Sequence, residues 1–182
     1  MYRIGDLWEQ KKLDIATEHA STNTAISLIK AINERITAIN ERITARIRTP
    51  GISYQFKSVI CTPEGELHGL AYNMIESLLL SNEFKVYNIS TSIPTEYILD
   101  YICDLQPDLI FISITLPENI KPFERLIQQI HLRNDNKLPV VVGGSAFNKL
   151  DQYEDSRINT YIMKNASFDD LMKFVKVSIQ IK

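Results

Sequence analysis

Residues 109–112 read LIFI and residues 140–142 read VVV, and both runs are apolar at consecutive positions. An isolated sheet with one face in water would instead alternate apolar and polar side chains. A strand that is apolar on both faces needs cover on both faces, as in a parallel sheet between two layers of helices. These two runs therefore predict central strands of a parallel α/β sheet.

Strand-like and helix-like segments alternate along the chain on both sides of these runs. The predicted strands are 56–61, 85–89, 109–114, 139–142 and 160–163, and the predicted helices are 68–80, 95–105, 120–132, 147–153 and 168–179. Alternation at these lengths predicts a doubly wound parallel sheet. Five strands indicate a flavodoxin-like α/β fold with strand order 2-1-3-4-5, which binds ligands at the carboxyl ends of its strands.

The first 50 residues have a different, helical pattern. Asp6 is predicted to cap a short helix that runs through Lys12, and Asp14 to cap a longer helix after it. The proline–glycine pair at residues 50–51 marks a boundary. We therefore expect a helical cap or dimerisation segment at residues 1–50 and the α/β domain at residues 51–182.

The longer helix contains a duplicated heptad, because INERITA occurs at residues 32–38 and again at 39–45. Isoleucines at 32, 36, 39, 43 and 47 are mostly four and three residues apart, which is typical of a helix with an apolar seam. The seam fits a helix that packs on its own domain, and it fits equally a helix that pairs with a second copy. Two heptads are too short to decide between a packed helix and a homodimer.

Composition excludes several classes of protein. The net charge is −2 and the pI about 5.9, so no global basic field attracts nucleic acid. Cys61 and Cys103 lie in unrelated segments, which favours reduced thiols in a cytoplasmic protein. Neither a signal peptide nor a membrane-length apolar run is recognised, and no serine–histidine–acid set or phosphate loop marks an independent catalytic site. The chain is more readily understood as a binding protein than as an enzyme.

Unusual residues follow the predicted first strand. A neutral imidazole such as that of His68 can donate an electron pair to a metal ion. Its other ring nitrogen needs a hydrogen-bond acceptor, which Glu66, two residues earlier, can supply. His131, late in a predicted helix, is interpreted as an ordinary surface residue.

Residues suited to a binding site also lie at the ends of two further predicted strands. Ser113 and Thr115 are two apart, so on a strand both hydroxyls would face one side. Gly143 and Gly144 follow the fourth strand and would let a bulky group approach the backbone closely.

In this order and spacing the three strand ends resemble the cobalamin-binding domain family. Between the first motif at residues 66–71 and Ser113 lie 41 residues, and 27 lie between Thr115 and Gly143. The resemblance covers roughly residues 54–180 and implies base-off cobalamin with His68 as the lower ligand of cobalt. Ser113, Thr115, Gly143 and Gly144 would line the slot for the dimethylbenzimidazole tail. The sequence departs from the family at Glu66 (usually Asp), Ala71 (usually Gly) and Thr115 (usually Leu).

The helical segment carries a second resemblance. Trp8 is followed after nine residues by Glu18 and His19, which resembles a motif of CarH/LitR-type light-sensing regulators. In that family these residues cap the upper face of adenosylcobalamin, and light cleaves the cobalt–carbon bond. Glu9 stands where the family has its upper-ligand histidine.

Three functions follow as expectations. The first is an adenosylcobalamin-dependent, light-responsive regulator that acts through changes in assembly or through a regulatory protein partner. The second is a corrinoid subunit that carries methyl groups, as methylcobalamin, for a methyltransferase system. The third is a degenerate relative that binds haem or nothing. A homo-oligomer formed through the N-terminal helices is expected, without direct contact to nucleic acid or membrane.

Overall fold

A computed structural model describes residues 7, 10–47, 56–89, 91–135, 137–148, 159–164 and 167–180. Five parallel strands form one sheet in the order β2-β1-β3-β4-β5. They are β1 Lys57–Cys61, β2 Lys85–Asn88, β3 Leu109–Ser113, β4 Val140–Gly143 and β5 Thr160–Ile162. The predicted flavodoxin-like fold and its strand order are confirmed.

The helices alternate with the strands. They are α1 Ile15–Ile47, α2 Leu70–Ser81, α3 Thr95–Leu105, α4 Ile120–Arg133, α5 Ser145–Asn148 and α6 Phe168–Gln180, with a short 3-10 helix at Pro117–Asn119 before α4. Helix α2 begins two residues after His68, so this histidine lies in the β1–α2 loop and not in the helix predicted at 68–80. Helix α5 begins at Ser145, two residues before the predicted start, and most of the predicted segment 147–153 lies outside the described residues.

The core covers both faces of the sheet, as the consecutive apolar runs predict. On one face Ile110 and Ile112 of β3 pack with buried residues of α3 and α4, such as Phe123. On the other face Leu109 and Phe111 pack with buried residues of α2 and α6. Burial on both faces is the physical reason for the uninterrupted LIFI and VVV runs.

Helix α1 begins as predicted and packs along α2. The N–H of Thr17 donates to Asp14 Oδ1 at 2.9 Å, which confirms Asp14 as the N-cap. The contact with α2 includes polar groups, since Asn40 Nδ2 donates to the carbonyl oxygen of Leu80 at 2.7 Å. The predicted cap at Asp6 and the predicted boundary at residue 50 lie outside the described residues, so the two-part division stays a prediction.

His131 is not a surface residue. Only 3% of it is exposed, and its Nε2 lies 2.7 Å from Thr160 Oγ1, which joins α4 to β5. The surface interpretation was wrong because a helical position gives no information on what packs against it. Within the described ranges, no helix combines the length and the apolar character needed to cross a lipid bilayer.

Candidate functional site

A buried carboxylate joins the loops that follow β1 and β3. Glu66 is fully buried, and its Oε2 accepts hydrogen bonds from the N–H of Thr115 at 2.8 Å and of Leu116 at 3.3 Å. The same oxygen accepts from Asn119 Nδ2 at 3.0 Å. These bonds hold the two strand ends together at the centre of the sheet's carboxyl edge, where doubly wound folds bind ligands.

The other oxygen of Glu66 orients His68. Oε1 accepts from the backbone N–H of His68 at 3.1 Å and lies 2.5 Å from its Nδ1. Because a carboxylate only accepts, Nδ1 carries a proton, and in the neutral imidazole Nε2 then carries the free electron pair. Half of the His68 side chain is exposed, and within the described part of the chain its Nε2 makes no hydrogen bond. In its neutral form the half-exposed imidazole therefore has an available lone pair.

Glu66 and His68 shift each other's pKa. Burial raises the pKa of Glu66, but hydrogen bonds from His68, Thr115 and Asn119 outweigh burial and lower the pKa to about 2. The hydrogen bond to Glu66 raises the pKa of His68; partial burial opposes this, and the charges of Glu66, Glu18 and Glu118 add to it. Glu66 is thus held ionised, as an acceptor for the imidazole requires.

Asn119 is a site residue that sequence reasoning missed. It is 7% exposed and lies at the end of the 3-10 helix, where an asparagine is typical of an ordinary turn. Its contact with Glu66 joins residues 53 positions apart, so only the folded structure reveals it.

Ser113 and Gly143 are adjacent in the sheet. They are partners in the β3–β4 register, at the carboxyl ends of both strands. Ser113 is 2% exposed, and among the described residues its Oγ has no hydrogen-bond partner. A Cβ added at Gly143 would meet Met163 Cβ at 3.7 Å, an ordinary contact. A buried hydroxyl that lacks a partner is unusual, and beside a glycine it fits a site that takes a ligand.

Gly144 is required by the close packing of the protein's own backbone. Its φ is +117°, and a Cβ there would lie 2.1 Å from the carbonyl oxygen of Ile114. The close approach that needs this glycine is therefore made by the chain's own backbone.

Thr115 lies beyond the end of β3, so strand alternation does not place its hydroxyl beside that of Ser113. The structure instead uses its backbone: the N–H donates to Glu66, and the carbonyl oxygen accepts from Ser145 Oγ at 2.9 Å. Ala71, the departure in the first motif, is half-buried in the first turn of α2.

One residue of the second motif, at the start of α1, acts on His68 through its charge. The negative charge of Glu18 adds to the raised pKa of His68. Glu18 is 26% exposed, whereas His19 is 70% exposed with its Nδ1 3.9 Å from Glu18 Oε2. His19 is therefore largely exposed to solvent, whereas the charge of Glu18 acts on His68. Trp8 and Glu9 lie outside the described residues.

Known proteins match the segment of the chain that carries these residues. A family model described as the B12 binding domain matches residues 57–163. Methionine synthase of Mycobacterium tuberculosis is 26% identical over 92 residues, which is 50% of this chain and 8% of that protein. The methanol–corrinoid protein of Methanosarcina barkeri is 25% identical over 93 residues, which is 50% of this chain and 36% of that protein. The chain therefore matches only a minor part of either relative.

Solved structures share the fold. A Methanosarcina barkeri monomethylamine corrinoid protein superposes with a TM-score of 0.66 at 13% identity, covering 98% of this chain and 76% of that one. A cobalamin-binding protein from Desulfitobacterium hafniense gives a TM-score of 0.59 at 18% identity, covering 96% and 76%. At this identity the likeness shows the architecture and not the activity.

Proposed function

Because the chain belongs to the B12-binding domain family, we propose that it binds cobalamin at the carboxyl edge of the sheet with His68 as the lower ligand of cobalt. The observation that carries this proposal is the Glu66–His68 pair, in which Nδ1 bonds the carboxylate and Nε2 has no hydrogen-bond partner among the described residues. An imidazole oriented by a carboxylate through its second nitrogen is the usual arrangement of a metal-ligating histidine.

The residues around this pair suit the cofactor. When bound, cobalamin supplies a cobalt–carbon bond whose carbon ligand can be transferred or released. His68 would donate its Nε2 lone pair, and Glu66 would hold the ring in the required tautomer. The Ser113 hydroxyl, which has no partner in the described part of the chain, and the bare backbone of Gly143 would receive the nucleotide tail.

A carrier of methyl groups is the function that we favour. The relatives that match by sequence are named as a methionine synthase and a methanol–corrinoid protein. The match covers only a minor part of either relative, and we propose that the methyl donor and acceptor are bound by a partner. A methyl carrier needs only residues that would bind the cofactor at an accessible edge of the sheet.

A light-responsive regulator that uses adenosylcobalamin is the second candidate. The charge of Glu18 adds to the raised pKa of His68, and this favours the regulator, since Glu18 belongs to the motif that begins at Trp8. A cap built from α1 would then cover the upper face, and loss of the adenosyl group would change assembly or partner binding.

A second copy of the chain would cover an exposed apolar stripe on α1. Leu28, Ile32, Ile39 and Ile43 of α1 are between 45% and 62% exposed in the single chain. They lie on one side of the helix, whereas Asn33 and Asn40 bond α2 from another side. Pairing two α1 helices would remove this apolar stripe from water, and we include a homodimer in the proposal.

Electron paramagnetic resonance tests the ligand. Protein loaded with cob(II)alamin and labelled with ¹⁵N-histidine should show a two-line nitrogen splitting in place of the three lines of ¹⁴N. His68→Ala should abolish the histidine-derived splitting, and His19→Ala should retain it. A splitting that is the same with and without the histidine label, or that persists in His68→Ala, would refute ligation by His68.

Affinity for the two cofactor forms separates the two functions. A carrier should bind methylcobalamin at least as tightly as adenosylcobalamin, with an oligomeric state that green light leaves unchanged. A sensor should bind adenosylcobalamin about tenfold more tightly, which is about 1.4 kcal/mol, and should change its assembly on illumination. In the sensor, Trp8→Ala should remove that preference.

A further inference from the structure

A buried tyrosine packs against the residue that follows His68. Gly69 is the N-cap of α2, and Tyr72 is the third residue of that helix. A Cβ added at Gly69 would lie 2.9 Å from the Tyr72 hydroxyl oxygen and 3.2 and 3.3 Å from two carbons of its ring. Helical side chains point back toward the N-terminus, so a residue at the third position covers the N-cap. The ring of Tyr72 therefore fills the space that a side chain at position 69 would need.

Gly69 is needed for this contact and not for its backbone conformation. Its φ is −103° and its ψ is −13°, values that residues with a side chain also adopt. An N-cap usually holds serine, threonine, aspartate or asparagine, whose side chain accepts a hydrogen bond from the helix. A glycine cannot make that bond, so the N-cap of α2 lacks a capping side chain at the point where Tyr72 packs.

Asn73 also holds Gly69. The carbonyl oxygen of Gly69 accepts hydrogen bonds from Asn73 Nδ2 at 2.5 Å and from the backbone N–H of Asn73 at 3.3 Å. Asn73 is fully buried, and Tyr72 is 8% exposed in the core cluster between the sheet and the helices α2 and α6. Two buried side chains therefore fix the glycine that follows His68.

The backbone is thus held on both sides of the imidazole. Before the ring, the N–H of His68 donates to Glu66 Oε1 at 3.1 Å; after it, Gly69 is held by Tyr72 and Asn73. The Nδ1 of His68 lies 2.5 Å from the same carboxylate oxygen. Glu66 is bonded to groups that follow β3, so it does not move with Gly69. A displacement of Gly69 would therefore pull the imidazole away from its acceptor.

We propose that Tyr72 is a positioning residue for His68, which packs against Gly69 and so keeps the imidazole in hydrogen-bond contact with Glu66. The inference rests on the proposed role of His68 as the lower ligand of cobalt. Half of the His68 side chain is exposed, so contacts of the ring itself restrain it only in part. A ligand residue needs such a supporting group, because a displacement of about 1 Å is enough to weaken a site.

Nuclear magnetic resonance of the ligand-free protein tests the positioning. The ¹⁵N shift of His68 Nδ1 and the far-downfield signal of its proton, together the Nδ1 signals, report the contact with Glu66. Tyr72→Leu keeps an apolar side chain in the core but removes the ring from Gly69, and it should abolish the downfield signal. Tyr72→Phe keeps the ring and should retain it.

The matched control is Phe84→Leu. Phe84 is also 8% exposed and belongs to the same core cluster as Tyr72, but it directly precedes β2 and so lies at the opposite edge of the sheet from His68. Phe84→Leu should therefore retain the Nδ1 signals.

A second set of variants separates packing from capping. Gly69→Ala places a Cβ against the Tyr72 hydroxyl and should abolish the downfield signal. Adding Tyr72→Phe deletes the closest contact and leaves the next one at 3.2 Å, so the double variant should recover part of the signal. A loss caused by weaker capping of α2 would not be recovered, because Tyr72→Phe leaves the N-cap residue unchanged.

Protein loaded with cob(II)alamin gives the second readout. Tyr72→Leu should weaken the histidine-derived splitting and raise the Kd for cobalamin about tenfold, while Phe84→Leu should match wild type. Unchanged Nδ1 signals in Tyr72→Leu, an equal loss in Phe84→Leu, or no recovery in the double variant would each overturn the positioning role. An intact splitting in wild type would then leave the His68 proposal standing. A wild type without that splitting, whose Nδ1 signals still depend on Tyr72, would overturn ligation by His68 and support the positioning of its ring.

Discussion

At the scale of single residues, one carboxylate sets the state of the candidate ligand. Glu66 holds the Nδ1 proton of His68 and is itself held by groups that follow β3. The glutamate in place of the family's aspartate therefore keeps an acceptor in contact with the ring. In the ligand-free protein this contact also favours the protonated imidazole, which competes with cobalt for Nε2.

Substituting Glu66→Gln should lower the pKa of His68 in the ligand-free protein toward its ordinary value of 6.5. A group whose folded-state pKa is raised stabilises the fold below its unfolded pKa, and the contribution is lost as the pH rises through the folded-state pKa. The wild-type unfolding free energy should accordingly carry a contribution that declines from about pH 6.5 upward, and Glu66→Gln should remove it. NMR titration of the ring protons measures the pKa directly.

The control for that titration is Glu118→Gln, which removes a weaker electrostatic contribution to the same ring. It should lower the pKa of His68 by less than Glu66→Gln does. Equal effects of the two substitutions would contradict a hydrogen-bonded pair.

Adjacent glycines should respond differently to an added methyl group. Gly144→Ala places a Cβ against the Ile114 carbonyl oxygen at a positive φ, and should cost about 3 kcal/mol of unfolding free energy or more. Gly143→Ala meets only an ordinary contact and should stay within about 1 kcal/mol of wild type. Urea unfolding compares the two, and a Gly144→Ala variant as stable as Gly143→Ala would refute the packing argument.

At the scale of elements, α1 is attached to α2 partly by polar bonds. Asn33 bonds Ser77, and Asn40 bonds the Leu80 carbonyl oxygen near the end of α2. Each such bond is worth about 1 kcal/mol net, so the attachment is specific in register and modest in strength. A helix held in this way can be displaced without disrupting the core of the sheet.

Removing one of these bonds should loosen α1 selectively. Asn40→Ala should lower stability by about 1 kcal/mol and speed amide hydrogen exchange in α1, with β1 and β3 unaffected. Asn23→Ala, at an exposed position of the same helix, serves as the control for helix propensity. Exchange that accelerates equally in both variants would show that the Asn40 bond does not anchor the helix.

At the scale of the whole molecule, the apolar stripe on α1 bears on the assembly. The double substitution Ile32→Lys and Ile39→Lys should convert a dimer into a monomer while leaving the fold intact, since both side chains are more than half exposed. Light scattering after size exclusion measures the mass. The matched control is Leu132→Lys with Val177→Lys, two exposed apolar positions elsewhere, which should keep the dimer. A wild-type protein that is monomeric at high concentration would refute the homodimer.

The sequence alone was sufficient for the sheet and for the edge on which the candidate site lies. Apolar runs at 109–112 and 140–142 report burial on two faces, and alternation of strands and helices restricts the order of a parallel sheet. The edge that carries Glu66, His68, Ser113 and Gly143 follows, because all parallel strands end on the same side. Periodicity and spacing are properties of short segments, so they can be read without the fold.

Only the tertiary structure revealed which distant groups meet. Asn119 bonds a carboxylate 53 positions away, His131 is buried against β5, and Gly144 is a glycine because of the Ile114 backbone. Their partners depend on how helices and loops pack against one another, and the pattern of any single segment contains no record of that packing.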